Sequence, residues 1–228
     1  VGVDARYGAP SADGWVVAAL DGATNRLRLY DLNAETGAAR DRTARDIPIG
    51  FAGESLCLWR DSRDATLYAF ALGGGGEIAQ FMIGASSDGL DASLVRTLRV
   101  ASEASYCTAD DVTGDLYVAE QGVGFWRFPA DPEAKVTPTL IDATRLDHVT
   151  EEADGLTVYN AGAASYLVAS DASANQFHVY DRNNDHAFVG TFTANGVEAA
   201  GGLNATSFGL SNRFPQGALL AMDDENVG

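Results

Sequence analysis

A short β-type segment returns about every fifty residues along this chain, and that recurrence restricts the fold more than any other feature. It reads WVVAALD from Trp15, LYAFALG from Leu67, LYVAEQG from Leu116, YLVASDA from Tyr166 and LLAMDDE from Leu219. Each copy is apolar, β-branched or aromatic and is closed by Gly, Asp, Asn or Ser, the pattern of a strand running into a turn. After the first four comes a second β run with an aromatic near its end: RLRLYDL (Tyr30), EIAQFMI (Phe81), VGFWRF (Trp126) and QFHVYD (Tyr180). A constant period with several strands per repeat and no helical stretch predicts the blades of a β-propeller. A two-sheet sandwich also has many short strands, but nothing in it requires them to recur at equal intervals. The repeats amount to about four to five blades of an all-β fold, expected to form one domain over residues 1–228 that is truncated at both ends.

The charge is lopsided. The chain carries 32 acids against 15 bases, a net charge of −17, with Lys135 as its only lysine. Such a surface repels polyanions, which argues against nucleic acid and anionic membrane as partners. It attracts cations, and either a solubilising coat or a calcium-binding role accounts for it. The acidic, lysine-poor composition is compatible with a secreted or periplasmic protein. No apolar run is long enough to cross a bilayer as a helix. Cys57 and Cys107 stand one blade interval apart, in GESLCLW and EASYCTA. They read as two small apolar core residues; a disulfide requires a Cα separation that sequence does not provide.

The same register places Ser55, Ser105, Asp154 and Asn204 at the start of successive innermost strands, facing the mouth where propellers bind ligands. One of these four is a carboxylate, with Glu151 and Glu152 beside it. Carboxylates gathered there suit a hard cation such as calcium, and a ring of neutral polar groups suits water. Other motifs carry less. DRNND (Asp181 to Asp185) opens like a calcium loop, but His186 stands where glycine belongs and Phe192 where glutamate belongs, so it predicts a polar turn. Gly73 to Gly76 lack the Lys-Ser/Thr and the helix of a phosphate loop. His148, His178 and His186 have no metal spacing, and Ser105 and Ser207 lack the setting of a nucleophile elbow.

Taken in order, several segments resemble the β-propeller phytases, calcium-dependent phosphatases of six blades that release phosphate from inositol hexakisphosphate. VDARY (Val3 to Tyr7) resembles the family's VDLRY, and LRLYDLNAETG (Leu27 to Gly37) its hairpin with a YxxxxxTG turn. ADDVTGDLYVAEQGVGFWRF (Ala109 to Phe128) is similar to ADDxxGxLYIAEEDxAIWKF. Glu152, Asp154 and GLTVY (Gly155 to Tyr159) match DIEGLTIY, while FGL (Phe208 to Leu210) and AMDDEN (Ala221 to Asn226) match FGL and AQDGEN.

The resemblance implies calcium ions and cationic side chains holding adjacent phosphates while a metal-activated water attacks one of them. Calcium would also invert the local field and let an acidic protein accept a polyanion. Yet the departures run in one direction. Ser105 and Gln121 replace acids, and the phosphate-contacting lysine of the TGK turn is lost within Gly73 to Gly76. A tyrosine falls near Glu54 and a glutamine near Ala172; two aspartates become Gly201 and Asn204, and an arginine is lost at Asp21 and Gly22. Scaffold is kept and site is depleted.

The sequence therefore predicts a phytase-family domain associated with phytate hydrolysis, weakly or non-catalytic by itself and assisting an adjacent active propeller or another chain. An active calcium-dependent phytase and a non-enzymatic interaction propeller are the alternatives. Inositol phosphate is the expected ligand and calcium the expected cofactor. Glu120, Glu152, Asp154 and Asp223 are the candidate metal ligands, and no catalytic or substrate-binding residue is assigned. Asp223 is assigned to a separate structural ion; at Glu120, Glu152 and Asp154 binding is expected to be weak, because three carboxylates leave calcium under-coordinated.

Overall fold

A computed structural model describes residues 2–11 and 14–223. It is an all-β fold of the propeller type, with four four-stranded antiparallel sheets followed by a two-stranded one. The first sheet runs in order β1 (Val3–Tyr7), β2 (Gly14–Asp21), β3 (Arg26–Asn33) and β4 (Ala39–Asp41). The second contains β5 (Gly53–Arg60), β6 (Leu67–Gly73), β7 (Glu77–Ser86) and β8 (Gly89–Arg99). The third contains β9 (Ala104–Asp110), β10 (Asp115–Glu120), β11 (Gly124–Pro129) and β12 (Thr139–Ala143), and the fourth β13 (Ala153–Ala161), β14 (Ala164–Asp171), β15 (Gln176–Asp181) and β16 (Ala187–Phe192). β17 (Leu203–Thr206) and β18 (Ala218–Ala221) form the last pair. The recurrent segments of the sequence are the second strands, and the aromatic-bearing runs are the third.

The repeat extends to an irregularity. Between third and fourth strands the register slips at Gln80/Phe81, Phe125/Trp126 and Val179/Tyr180. The residue passed over on the fourth strand is Val95, Ile141 or Val189 in turn. Each slip falls at the aromatic that marks the third strand in the sequence. An extra residue of this kind bends a strand and increases its twist, so the same bend is built into three successive blades.

The chain divides into two compact units, Val1–Leu116 with Phe128–Thr137 and Tyr117–Arg127 with Pro138–Gly228. In the first unit, β2 and β3 alternate between buried and half-buried residues, and β6 is buried throughout. Val16, Leu27, Leu29, Ile47, Leu58, Phe81 and Ile83 belong to one continuous core. Each fully buried side chain of this size contributes about 1.5–3 kcal/mol from apolar burial.

Polar and covalent ties join the first strands of three sheets in the same unit. Arg6 of β1 ion-pairs with Asp4 at 2.8 Å and Asp111 at 2.9 Å and donates to the Leu58 carbonyl at 2.7 Å. Asp4 and Asp111 in turn accept from the backbone N–H of Leu58 and Arg60. Burial works against the Arg6 charge, but the two carboxylates outweigh it and the guanidinium holds its proton more firmly than usual. The motif VDARY thus has a structural task. Cys57 of β5 and Cys107 of β9, both buried, form a disulfide with their Cα atoms 5.8 Å apart.

In the second unit, Val168, Phe177, Ala200 and Leu203 form a smaller core with Ala194, Val197 and Ala221 packed against it. Tyr117 is fully buried, and its hydroxyl lies 2.9 Å from both His186 Nε2 and the donating Nε of Arg182. DRNND is a polar turn, as the sequence predicts. Asp181 accepts from the Asn183 N–H, and Asp185 and His186 adopt left-handed backbone angles.

Candidate functional site

The four residues assigned to the mouth all lie near the start of the first strand of their sheet. Ser55 is the third residue of β5, and Ser105, Asp154 and Asn204 are the second residues of β9, β13 and β17. Their environments differ: Ser55 is buried, Ser105 and Asp154 are half-buried, and Asn204 is exposed. In the first unit, the Gly73–Gly76 segment is a tight turn closed by the Gly76 N–H on the Gly73 carbonyl. Gly76 has a φ of +85°, and a Cβ there would meet the Val100 carbonyl oxygen at 2.5 Å, so glycine is required. The turn does not lack a cation. Arg99, at the end of β8, donates to the Gly75 carbonyl at 2.7 Å and lies 3.4 Å from the Glu77 carboxylate. It arrives there because β7 and β8 pair with Glu77 opposite Arg99.

The proposed metal ligands all belong to the second unit. Glu120 ends β10; it is buried, and its Oε2 accepts from the Trp126 indole at 2.8 Å. Glu152 immediately precedes β13, and its Oε1 accepts from the Gln121 side-chain amide at 2.5 Å. Asp154 follows within a bulge, since the pairing of β13 with β14 slips between Ala153 and Leu156. Regular strand alternation therefore does not run from Ala153 to Leu156. Asp223 follows β18 and accepts from the Glu198 N–H at 3.1 Å, while Asp224 to Asn226 lie outside the described residues.

A family model described as Phytase matches residues 2–228 of this chain. The chain belongs to the phytase family. A 3-phytase from Bacillus subtilis (strain 168) is 28% identical over 214 residues, a match covering 89% of this phytase-family chain and 56% of that protein. The chain thus spans about half the length of the curated relative it matches. Solved structures share the fold at low identity. The β-propeller domain of Myceliophteria thermophila Cps50 (Swd1) has a TM-score of 0.56 at 13% identity, covering 97% of this chain and 67% of that one. BBS1N in complex with ARL6DN has a TM-score of 0.62 at 12% identity, covering 97% and 60%. A 6-phosphogluconolactonase-like protein from Bacteroides uniformis has a TM-score of 0.52 at 16% identity, covering 82% and 52%.

Within the phytase family the implied metal is calcium, and the donor chemistry here fits it in part. Glu152 and Asp154 offer only oxygen, the donor that a hard cation requires. Among the described residues no three His, Cys, Asp or Glu side chains come together as a metal-holding group. Glu120 already has one oxygen engaged by the Trp126 indole. Among the described residues these carboxylates therefore form no closed cage for calcium. No step of a reaction is assigned to it.

Sequence reasoning missed two buried polar clusters in the second unit of this phytase-family chain. Asp142, 2% exposed, accepts from the Tyr180 hydroxyl at 2.6 Å and lies 2.9 Å from His148 Nδ1. Burial, reinforced by Asp142, keeps the Tyr180 phenol protonated. The second cluster is centred on Asp171, which accepts from Thr150 and Ser173. Beside it His178, 1% exposed, places Nδ1 2.9 Å from the Thr191 hydroxyl. Among the described residues its Nε2 has no hydrogen-bond partner and stands 3.8 Å from Asp171 Oδ2, in ion-pair range but too far for a hydrogen bond.

Burial depresses the His178 pKa, more strongly than Asp171 and Asp142 raise it. An unfolded imidazole takes up its proton near pH ~6.5, so below that value the unfolded chain binds more protons than the folded one. Stability is therefore expected to fall as pH drops from about 6.5 towards the depressed folded value. Urea unfolding at a series of pH values checks this: His178→Gln, which keeps a partner for Thr191, should flatten that limb. An acid limb equally steep in the variant would contradict the assignment.

Proposed function

We propose that this chain is a phytase-family propeller module that binds calcium and inositol hexakisphosphate weakly, hydrolyses phytate very slowly or not at all by itself, and assists an adjacent active propeller. The observation that carries the proposal is the Gln121–Glu152 hydrogen bond. Where the resemblance implies a second carboxylate facing a shared cation, this chain has an amide whose N–H₂ satisfies the remaining carboxylate directly. A neutral donor in that place lowers the negative charge available to calcium and competes for one of its best oxygens. Without bound cations, a net charge of −17 repels the substrate polyanion. Arg99 at the Gly73–Gly76 turn retains one cation able to meet a phosphate, which supports binding in preference to turnover.

The buried Cys57–Cys107 disulfide supports export to an oxidising compartment, periplasmic or extracellular. The test of the binding site is the reversion Gln121→Glu. It removes the competing donor and adds a carboxylate, and it is expected to tighten calcium binding about tenfold, the scale on which ligand charge tunes such sites. Calorimetry giving equal affinities for the variant and the parent chain would sink the reading of Gln121 as a stand-in for a ligand.

A further inference from the structure

Two buried carboxylates hold the segment between β12 and β13. Asp142 of β12 accepts the His148 N–H at 3.2 Å and lies 2.9 Å from His148 Nδ1. Asp171, the last residue of β14, takes the Thr150 N–H at 2.6 Å and the Thr150 hydroxyl at 2.5 Å, both on Oδ2. Its Oδ1 accepts from the Ser173 hydroxyl at 3.0 Å.

His178 of β15 stands beside the second hold. It pairs with Ala169 of β14 and Thr191 of β16 and is 1% exposed. Its buried Nε2 lies 3.8 Å from the oxygen that holds Thr150 and has no hydrogen-bond partner among the described residues. The tautomer that fits carries its proton on Nδ1, where the Thr191 hydroxyl accepts it at 2.9 Å. The Nε2 lone pair then faces a carboxylate oxygen, and the two keep apart. Protonation reverses that relation. An imidazolium donates from both nitrogens, and a buried donor left without an acceptor is costly. The acceptor that Nε2 faces is Asp171 Oδ2, about 1 Å beyond hydrogen-bond distance. A carboxylate oxygen has about two lone-pair sites, and Thr150 occupies both. The imidazolium is therefore satisfied only at the expense of Thr150.

We propose that His178 is a proton-operated latch on residues 144–152: neutral, it leaves Asp171 to hold Thr150; protonated, it takes Asp171 Oδ2 and lets the segment open while the sheet stays folded. The charged or titratable groups facing His178 are Asp171 of β14, Asp142 of β12 and His148 of the segment itself. The His148 ring stacks on Phe188 at 3.5 Å, and Phe188 lies 6.1 Å from the His178 ring, so the segment is packed onto this cluster. Opening takes His148 and Thr150 away from it and lets water reach the imidazole.

Linkage fixes the direction. Burial keeps folded His178 neutral to lower pH than usual, and the Asp171 and Asp142 charges offset this only in part. Solvation on opening returns the imidazole towards its ordinary value near pH ~6.5, so opening takes up a proton. Opening should become more favourable as pH falls below about 6.5, by up to tenfold per pH unit, and level off where the folded imidazole titrates. Burial acts to raise the Asp171 pKa, but its Thr150 and Ser173 donors prevail and hold it below the ordinary aspartate value, so Asp171 does not start that rise.

The test is amide hydrogen exchange of the full chain from neutral to mildly acidic pH, corrected for the intrinsic rate of each amide, with the His178 ring signals followed by NMR in the same samples. Thr150 and His148 report the segment, and Leu167 in β14 reports the sheet. Parent protein should lose protection at Thr150 with the stated pH dependence, with Leu167 far better protected throughout. His178→Gln should abolish the pH dependence at Thr150, and His148→Gln should retain it. Protection at Thr150 that ignores pH, a slope that persists in His178→Gln, or a slope lost only in His148→Gln overturns the proposal. Equal protection of Thr150 and Leu167 also overturns it, because the whole unit would then unfold together. Should His178→Gln fail to fold, the parent still decides: exchange at Thr150 must level off at the pH where the His178 ring titrates, and levelling elsewhere contradicts the latch.

Discussion

Loss of the Cys57–Cys107 disulfide is expected to lower folding stability by about 4 kcal/mol. The bond closes a loop of 50 residues, and the chain-entropy cost of leaving such a loop open in the unfolded state sets that figure. Whole domains are stable by only about 5–15 kcal/mol, so the loss is a large share of the total. Position strengthens the case. Cys57 and Cys107 lie in β5 and β9, the first strands of two successive sheets, and Arg6 bonds to carbonyls of the same two strands. The covalent and ionic ties therefore act on one set of strands, and loss of one leaves the other to hold them. Guanidinium unfolding of the parent and of the Cys57→Ala/Cys107→Ala double variant measures the effect. A large fall in midpoint is expected; coincident curves would mean that the unfolded chain gains little from being freed.

The parts of this architecture visible in the sequence were those fixed by local chemistry. LYAFALG and LYVAEQG announce second strands because a β-branched or aromatic run followed by Gly, Asp or Asn has few other outcomes. The starts of the first strands followed from the same period, and Ser55, Ser105, Asp154 and Asn204 all fall there. What was hidden depended on pairing between distant residues. Arg99 reaches the Gly73–Gly76 turn only through the register of β7 with β8, which its own neighbours do not reveal. Thr150 and Asp171 are 21 residues apart, and nothing local to either names the other. The bulge at Ala153/Leu156 depends on the pairing of β13 with β14, and the local pattern of residues does not announce it. The disulfide was undecidable from spacing alone because it depends on a Cα separation, 5.8 Å here, that only the folded strands supply.

Hydrolysis of inositol hexakisphosphate by the isolated chain is expected to be slower than that of a fully equipped family member by several orders of magnitude. Removal of one group that stabilises developing charge typically costs about two to three powers of ten in rate. Here both halves of the phosphate clamp are depleted: Ser105, Gln121, Gly201 and Asn204 stand where the resemblance implies acids, and the Gly73–Gly76 turn lacks its lysine. The remaining carboxylates are partly committed elsewhere, Glu120 to the Trp126 indole and Glu152 to the Gln121 amide. Ser105→Glu, Gln121→Glu and Asn204→Asp made together restore charge without touching the disulfide or the Arg6 network. The most direct measurement is phosphate release from inositol hexakisphosphate by the unmodified 228-residue chain in excess calcium, beside calorimetry of the same ligand. Weak binding with negligible release is the result expected of an assisting module. Robust, calcium-dependent release would contradict it and make this chain a phytase in its own right.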